Sequence, residues 1–419
     1  MANTLKFGGG TWATKEGSTL AYNDENNNYK PLPFTTTRNS IGTRVNKEGL
    51  IEVVGNDVPR IDYTDSADGA LLLEPSRTNL ITYSEDASQW INVNTTISQD
   101  DVISPDGTLN ADKFEFTGNG SIRPNTSQLT FTNDYSFSIF IKKGNARYVT
   151  LAARFFTSPL AVGFDLDTGT SQSGGIIENY GNDWYKLSLS NNVTGDTDRT
   201  GVFYVYLPSS LGAESSVSGN NAYVWGAQVE AGSYATSYIP TSGSTVTRQA
   251  DTASGSGNSE VFNDSEGVLF ANHNYENINP NWSGLGIMDS DGTVDRVIFA
   301  VQNNTQNFKV YLQSGGVVRW NPTIVIDVTK YQKVAVKYKS NDNALWINGF
   351  EVATDNTVSI MPSGLHKLSY FGYASLEPTY GSTKEIGYYD EILTDLELET
   401  LTSYRSLNEL VTELNLNEL

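Results

Sequence analysis

The 419-residue chain contains no cysteine, which excludes disulfide staples, thiolate metal sites and a thiol nucleophile together. Its two histidines, His273 and His366, are too few for a His-rich zinc site, and neither has Ser and Asp companions at a triad spacing. Cations are scarce as well. With 27 Lys and Arg against 48 Asp and Glu, the net charge is −21, and no clustered basic surface is available to neutralise phosphates. Nucleic acid is therefore not an expected partner. No run of about 18 apolar residues occurs, and the opening MANTLKFGGGTWATKEGSTLAYNDENNNYK lacks the apolar region of a secretory signal. No membrane contact is expected.

What is present is the chemistry of a β protein. Aromatics make up 11% of residues and charged side chains only 18%, with 37 glycines, a composition dominated by strand and turn formers. The length is more than twice a typical ~150-residue domain, enough for two cores without staples. Residues 1–70 are rich in turn signals and poor in apolar residues, and read as an extended N-terminal attachment arm. Within it, Thr43 to Val54 reads as a hairpin around Gly49. Residues 71–250 carry seven period-2 segments, from ADKFEF at Ala111 through YSFSIFIK at Tyr135 to AYVWGAQVE at Ala222. No helical crossover separates them, so an antiparallel jelly roll is predicted. The Gly/Ser/Thr stretch around 251–259 reads as a linker. Strand patterns resume over 260–393 as a second sandwich. Residues 394–419 read as a helical tail, with capping boxes at Thr394–Glu397 and Ser406–Glu409 and an apolar face of Leu407, Leu410, Val411 and Leu414. The expected fold class is all-β: two antiparallel β-sandwich domains with an arm and a short helical tail.

Several constellations carry chemistry. Sugars are held by aromatic faces stacked on C–H surfaces, with Asn, Asp and Gln taking the hydroxyls. Two loops combine these residue types: Tyr180, Asn182, Asp183 and Trp184 in ENYGNDWY, and Tyr275, Asn277, Asn281 and Trp282 in NYENINPNWSG. Each tryptophan reads otherwise as core, Trp184 opening a strand and Trp282 plugging one sandwich end. MDSDGTVDR gathers Asp289, Asp291 and Asp295, and Ca²⁺ takes several carboxylate oxygens; the alternative is an Asp-Gly hairpin turn. Ca²⁺ is the one cofactor the sequence leaves open. Paired carboxylates for glycoside hydrolysis are represented only by Asp165 and Asp167 in GFDLDTGT, which also reads as a strand-end turn.

The phrases FTTTRNSIGTRVNKEGLIEVV, PRIDY and ALLLEPSRTNLITYSEDASQW, between Phe34 and Trp90, resemble the N-terminal block of bacteriophage tail-fibre and related virion surface proteins. WGAQVEAGSYATSYIPTSGSTVTRQAD, from Trp225 to Asp251, resembles the end of the same module. The 260–393 segment resembles a laminin-G-like, concanavalin A-like module through ALWINGFEV and EIGYYDEILTDLELETL. The resemblance implies a non-enzymatic virion surface protein, a tail fibre or receptor-binding adhesin. Host surface polysaccharide and, through the arm, other virion proteins would be its partners, and it would act as a homo-oligomer, by family analogy a trimer. A head fibre or capsid decoration protein is the alternative, and a polysaccharide depolymerase the second.

Overall fold

The computed structural model describes residues 5–15, 18–20, 32–126, 129, 134–154, 160–191, 202–275, 283–290, 292, 294–301, 306–372 and 379–413. They form antiparallel sheets and two short C-terminal helices, an all-β fold. None of the described helices is long and apolar enough to cross a membrane. The chain divides into two compact units. A terminal unit takes residues 1–39, 55–75 and 250–419, and a central unit takes 40–54 and 76–249.

The terminal unit is a sandwich. One sheet runs Phe350–Asp355, Asn343–Ile347, Gln332–Lys339, Glu266–His273, Gly381–Tyr389, Ala70–Leu73, Ile61–Asp62, with Leu5–Gly8 also paired to Gly381–Tyr389. The facing sheet runs Val317–Trp320, Asn307–Ser314, Arg296–Val301, Ser283–Met288, Lys367–Gly372. Alternation sends Leu269, Val334, Val336 and Ile386 inward against Leu285, Val297, Phe299 and Leu312 of the other sheet. The intervening Val268, Phe270 and Ala335 face the opposite way and pack under Leu398 of the helix Asp395–Thr402. Both faces of these strands are covered, which is why EGVLFANH and KVAVKYK read as nearly unbroken apolar runs. Thr394 caps that helix as its sequence predicts, with Glu397 returning the bond to the Thr394 N–H at 2.9 Å. The second helix, Leu407–Glu413, is fastened to the same unit through Lys333, whose Nζ donates to Ser403 O at 3.1 Å and to Glu409 at 2.5 Å.

The arm and linker of the sequence reading take a different form. Leu5 and Phe7 lie in the terminal core beside Phe34, with the two phenylalanine rings 4.4 Å apart. Burial of these apolar side chains favours incorporation over extension. The predicted hairpin, now Gly42–Val45 with Ile51–Val54, belongs instead to the central unit. Residues 251–259 are not free chain, since Thr252–Ser254 pairs with Phe34–Thr37.

Beneath that pairing four buried charges meet. Arg38 donates to Asp251 at 3.0 Å and to the carbonyls of Val58 and Gly55 at 3.1 and 2.6 Å. Arg60 donates to Glu74 at 2.6 Å and also to Asp251, while the Glu74 N–H donates to Asp251 at 3.0 Å. Burial alone would lower the Arg60 pKa, but Asp251 and Glu74 outweigh it and hold the pKa above its ordinary value. Two cations and two anions close the charge balance.

The main sheet of the central unit has ten strands. Its order is Thr170–Ser171, Leu160–Asp165, Tyr148–Arg154, Val202–Tyr206, Leu109–Arg123, Asn221–Ala231, Tyr135–Lys143, Trp184–Asn191, Gly175–Asn179, with Ile91–Ile103 on Leu109–Arg123. The 15-residue strand Leu109–Arg123 pairs near its start with Asn221–Ala231 and near its end with Val202–Tyr206, so it links the two layers. Between them Phe137, Ile139 and Leu187 meet Val149, Leu151, Phe203 and Val205. Ile91–Ile103 was not anticipated. It is a solvent-facing strand with register shifts, and Asn94 and Asp100 sit at φ of 50° and 53°, so its side chains never alternate.

Asp112 holds this irregular strand in place, accepting the N–H groups of Asp100 at 3.1 Å and Ala87 at 2.7 Å. Burial, partly offset by those two bonds, pushes its carboxyl up to about 6. An unfolded aspartate releases its proton near 3.9, so between these values the folded form binds more protons. This group's contribution to stability is therefore greatest at the acid end and falls as pH rises through the window. Melting curves of the wild type and Asp112→Asn should show the wild-type advantage shrinking from pH 4 to pH 7. A difference that stays flat over that range would refute the assignment.

Candidate functional site

The outward face of the central unit's second layer follows from strand alternation. Phe203 and Val205 point into the core, so Tyr204 and Tyr206 point out. Ile122 lies opposite Val205 and is buried, which turns Ser121 and Arg123 outward on the next strand. Ile91 and Val93 pair with Arg123 and Ser121 and are 40% and 48% exposed. On the other side Ala152 and Thr150 lie opposite Tyr204 and Tyr206.

The two tyrosine rings are 5.9 Å apart with planes 23° from parallel. The Arg123 guanidinium sits 5.5 Å from the centre of the Tyr204 ring, with a long hydrogen bond of 3.5 Å to its hydroxyl. Desolvation, followed by the neighbouring Tyr204, raises the Tyr206 hydroxyl above its ordinary pKa. The Tyr206 phenol is therefore a neutral donor and acceptor at physiological pH. On one flank the loop after Tyr206 closes down. Its Gly212 N lies against Gly163, where a Cβ would collide, and Glu214 pairs with Arg154. The face is thus an aromatic pair with one cation, open on the Ile91 side and walled on the Arg154 side.

The residues singled out in the sequence fall elsewhere. Tyr180 packs edge-on to Phe140 at 4.9 Å, and Trp184 is buried among Phe140, Trp225 and Tyr238 with its indole N–H donating to Ile103 O at 3.1 Å. Trp184, 1% exposed, offers no ring face to a sugar, whereas Tyr180 is half-buried. Asn182 and Asp183 form an exposed loop tip at φ of 50° and 65°, held by Lys142, which donates to Asn182 O at 2.8 Å. Tyr275 is buried in the terminal core, edge-on to His273 at 4.4 Å. Asn277, Asn281 and Trp282 lie outside the described residues.

Asp289 accepts the N–H groups of Gly292, Val294 and Asp295, the last at 3.0 Å, and Asp295 accepts those of Gly315 and Ser363 at 3.2 and 2.9 Å. Backbone donors thus occupy oxygens a cation would need. Asp291 lies outside the described residues, among which no cluster of three or more metal-ligating side chains occurs. Asp165 and Asp167 both pair with Arg147, and Asp167 also with Lys143. The Arg147 bonds hold the Asp165 carboxyl below its usual range, the reverse of what a general acid needs. Burial brings His273 down to about 3, so it is neutral, with Nδ1 2.8 Å from the Thr383 hydroxyl.

Arg123 is an ambiguous sugar-binding candidate in the sequence, and a reading of VFYVYL as a strand alone does not set Tyr204 and Tyr206 beside it. The signal lay in the tyrosines at alternate positions, on the side opposite Phe203 and Val205.

No family model and no curated protein matches this chain. Among solved structures it is similar to the CBM40 module of the Ruminococcus gnavus IT-sialidase, at 17% identity, covering 36% of this chain and 94% of that one, with a TM-score of 0.30. It is similar to domains LG4-5 of the mouse laminin alpha1 chain, at 13% identity over 74% of this chain and 91% of that one, with a TM-score of 0.24. It is also similar to a Trypanosoma rangeli sialidase, at 11% identity over 93% of this chain and 66% of that one, with a TM-score of 0.31. All three likenesses are distant, at 11% to 17% identity. The expectation of a chain without enzymatic activity is corrected by this comparison, since a sialidase stands among the structural neighbours.

Proposed function

We propose that the chain is a bacteriophage virion protein, a tail fibre or receptor-binding adhesin exposed on the virion surface, that recognises glycans of the host surface. The phage reading rests on the ordered phrases between Phe34 and Asp251. Glycan recognition rests on one observation: the half-buried Tyr204 and Tyr206 rings lie 5.9 Å apart, 23° from parallel, on the outward side of the strand Val202–Tyr206. Aromatic contacts of this kind are worth about 0.5–1.5 kcal/mol each beyond the area they bury, so a single site binds weakly. Copies assembled on one particle multiply that affinity, because a tethered second site meets its ligand at an effective concentration on the order of millimolar. A homo-oligomer, by family analogy a trimer, provides the copies.

The full chain applied to a glycan array should bind a restricted set of surface polysaccharides. The Tyr204→Ala/Tyr206→Ala double variant, with its fold verified by circular dichroism, should lose at least ten-fold in affinity. If neither protein binds any glycan, the reading falls and a structural head-fibre or capsid decoration role takes its place. If both bind alike, the site lies elsewhere.

A further inference from the structure

In a chain with 48 acidic and 27 basic side chains, an arginine with no carboxylate partner on an accessible face calls for an explanation. Nearby cations are neutralised: Arg147 pairs with Asp165 and Arg154 with Glu214. Arg123 is different. Its contacts among the described residues are the Tyr204 ring and hydroxyl, and no carboxylate pairs with it. The outward residues paired with it or beside it, Ile91, Val93, Ser121, Tyr204 and Tyr206, carry no charge.

We infer that this face is built for a carboxylate-bearing sugar residue, such as a uronic acid, within a host polysaccharide. The inference rests on the proposed glycan-binding role of the same face and specifies its ligand class. A guanidinium offers parallel N–H donors that match the two oxygens of a carboxylate, and charge-assisted bonds of this kind are roughly twice as strong as neutral ones. Stacking on Tyr204 orients the guanidinium plane and leaves its edge for the acid. With the carboxylate on Arg123, the sugar's C–H face lies towards Tyr206, and its hydroxyls meet two phenols. The overall negative charge of the protein does not forbid this contact, because charges farther away than about 8 Å are screened at physiological ionic strength. It slows encounter and lets the local cation decide selectivity.

The test uses the full chain and four probes: oligomers of polygalacturonate, alginate, hyaluronate and polysialate, each beside its carboxyl-reduced counterpart. Binding is read by isothermal titration at 50 and 300 mM NaCl. At least one acidic oligomer should bind ten-fold or more tightly than its reduced form, with the preference weaker at high salt. Arg123→Gln should abolish the preference by lowering the acidic oligomer's affinity ten-fold or more, to that of the reduced form on the same variant, and Tyr206→Ala should weaken both forms. Equal binding of acid and reduced forms, or a preference that survives Arg123→Gln, overturns the inference and leaves glycan recognition standing. No binding to any acidic probe, together with binding to neutral glycans on the array, also overturns it. Silence on both probes and array sinks this inference and the glycan reading alike.

Discussion

Replacing Asp251 with alanine is expected to lower the stability of the terminal unit by about 3–5 kcal/mol, the usual cost of removing one partner from a buried ion pair. The physical reason is that Asp251 serves two arginines. Its Oδ1 takes Arg38 at 3.0 Å, and its Oδ2 takes Arg60 and the Glu74 N–H. Without it Arg38 and Arg60 each lose a carboxylate partner, leaving the buried cluster one negative charge short. Calorimetry should show a fall in melting temperature of roughly 6–20 °C for a unit of this size. Asp251→Asn, which keeps oxygen and shape, should cost less. A loss below about 1 kcal/mol, the range of exposed pairs, would mean that the cluster is solvated.

Trp184→Ala is expected to cost a similar amount, about 3–5 kcal/mol, by opening a large cavity. Trp184 is 1% exposed and fills the space between Ile51, Phe140 and Trp225, which joins the hairpin Gly42–Val45 and Ile51–Val54 to the main sheet of its unit. The loss also leaves the Ile103 carbonyl without the indole donor. Because Trp184 packs inward, glycan affinity of the folded variant, measured well below its melting transition, should stay within three-fold of wild type. A variant of normal stability with lost binding would restore the surface role that its loop composition suggests.

These two residues show what the sequence makes legible and what it hides. The phrases that resemble virion proteins turn out to be polar staples: TTTRNS supplies Arg38, PRIDY supplies Arg60, LLLEPS supplies Glu74 and TRQAD supplies Asp251. In the central unit Asn79 of RTNL donates to Ala227 O and Ile239 O at 3.1 and 2.9 Å, and Glu230 accepts Thr236 N at 2.9 Å. A buried polar group needs a partner in a fixed geometry, which ties each of these residues to its place in the phrase. A strand with one covered face, Val202–Tyr206, was legible through alternation, and the capping box of Thr394 through its local chemistry.

The partnership of segments was not legible, because pairing of Leu5–Gly8 with Gly381–Tyr389 leaves no local trace. Nor was the site. Composition marks where Tyr, Trp and Asn are dense, but only strand register separates Tyr204, facing out, from Trp184, facing in.

The pairing of Leu5–Gly8 with Gly381–Tyr389 also dictates a schedule of biogenesis. At elongation rates of about 5–20 residues per second, the first strand waits roughly 20–75 s on the ribosome for its neighbour to be made. The central unit, drawn from residues 40–54 and 76–249, emerges whole during that interval and can settle first. The waiting segment must meanwhile stay unaggregated, and the run of Asn, Asp and Glu between Tyr22 and Tyr29 that follows it is a composition of low β-aggregation tendency.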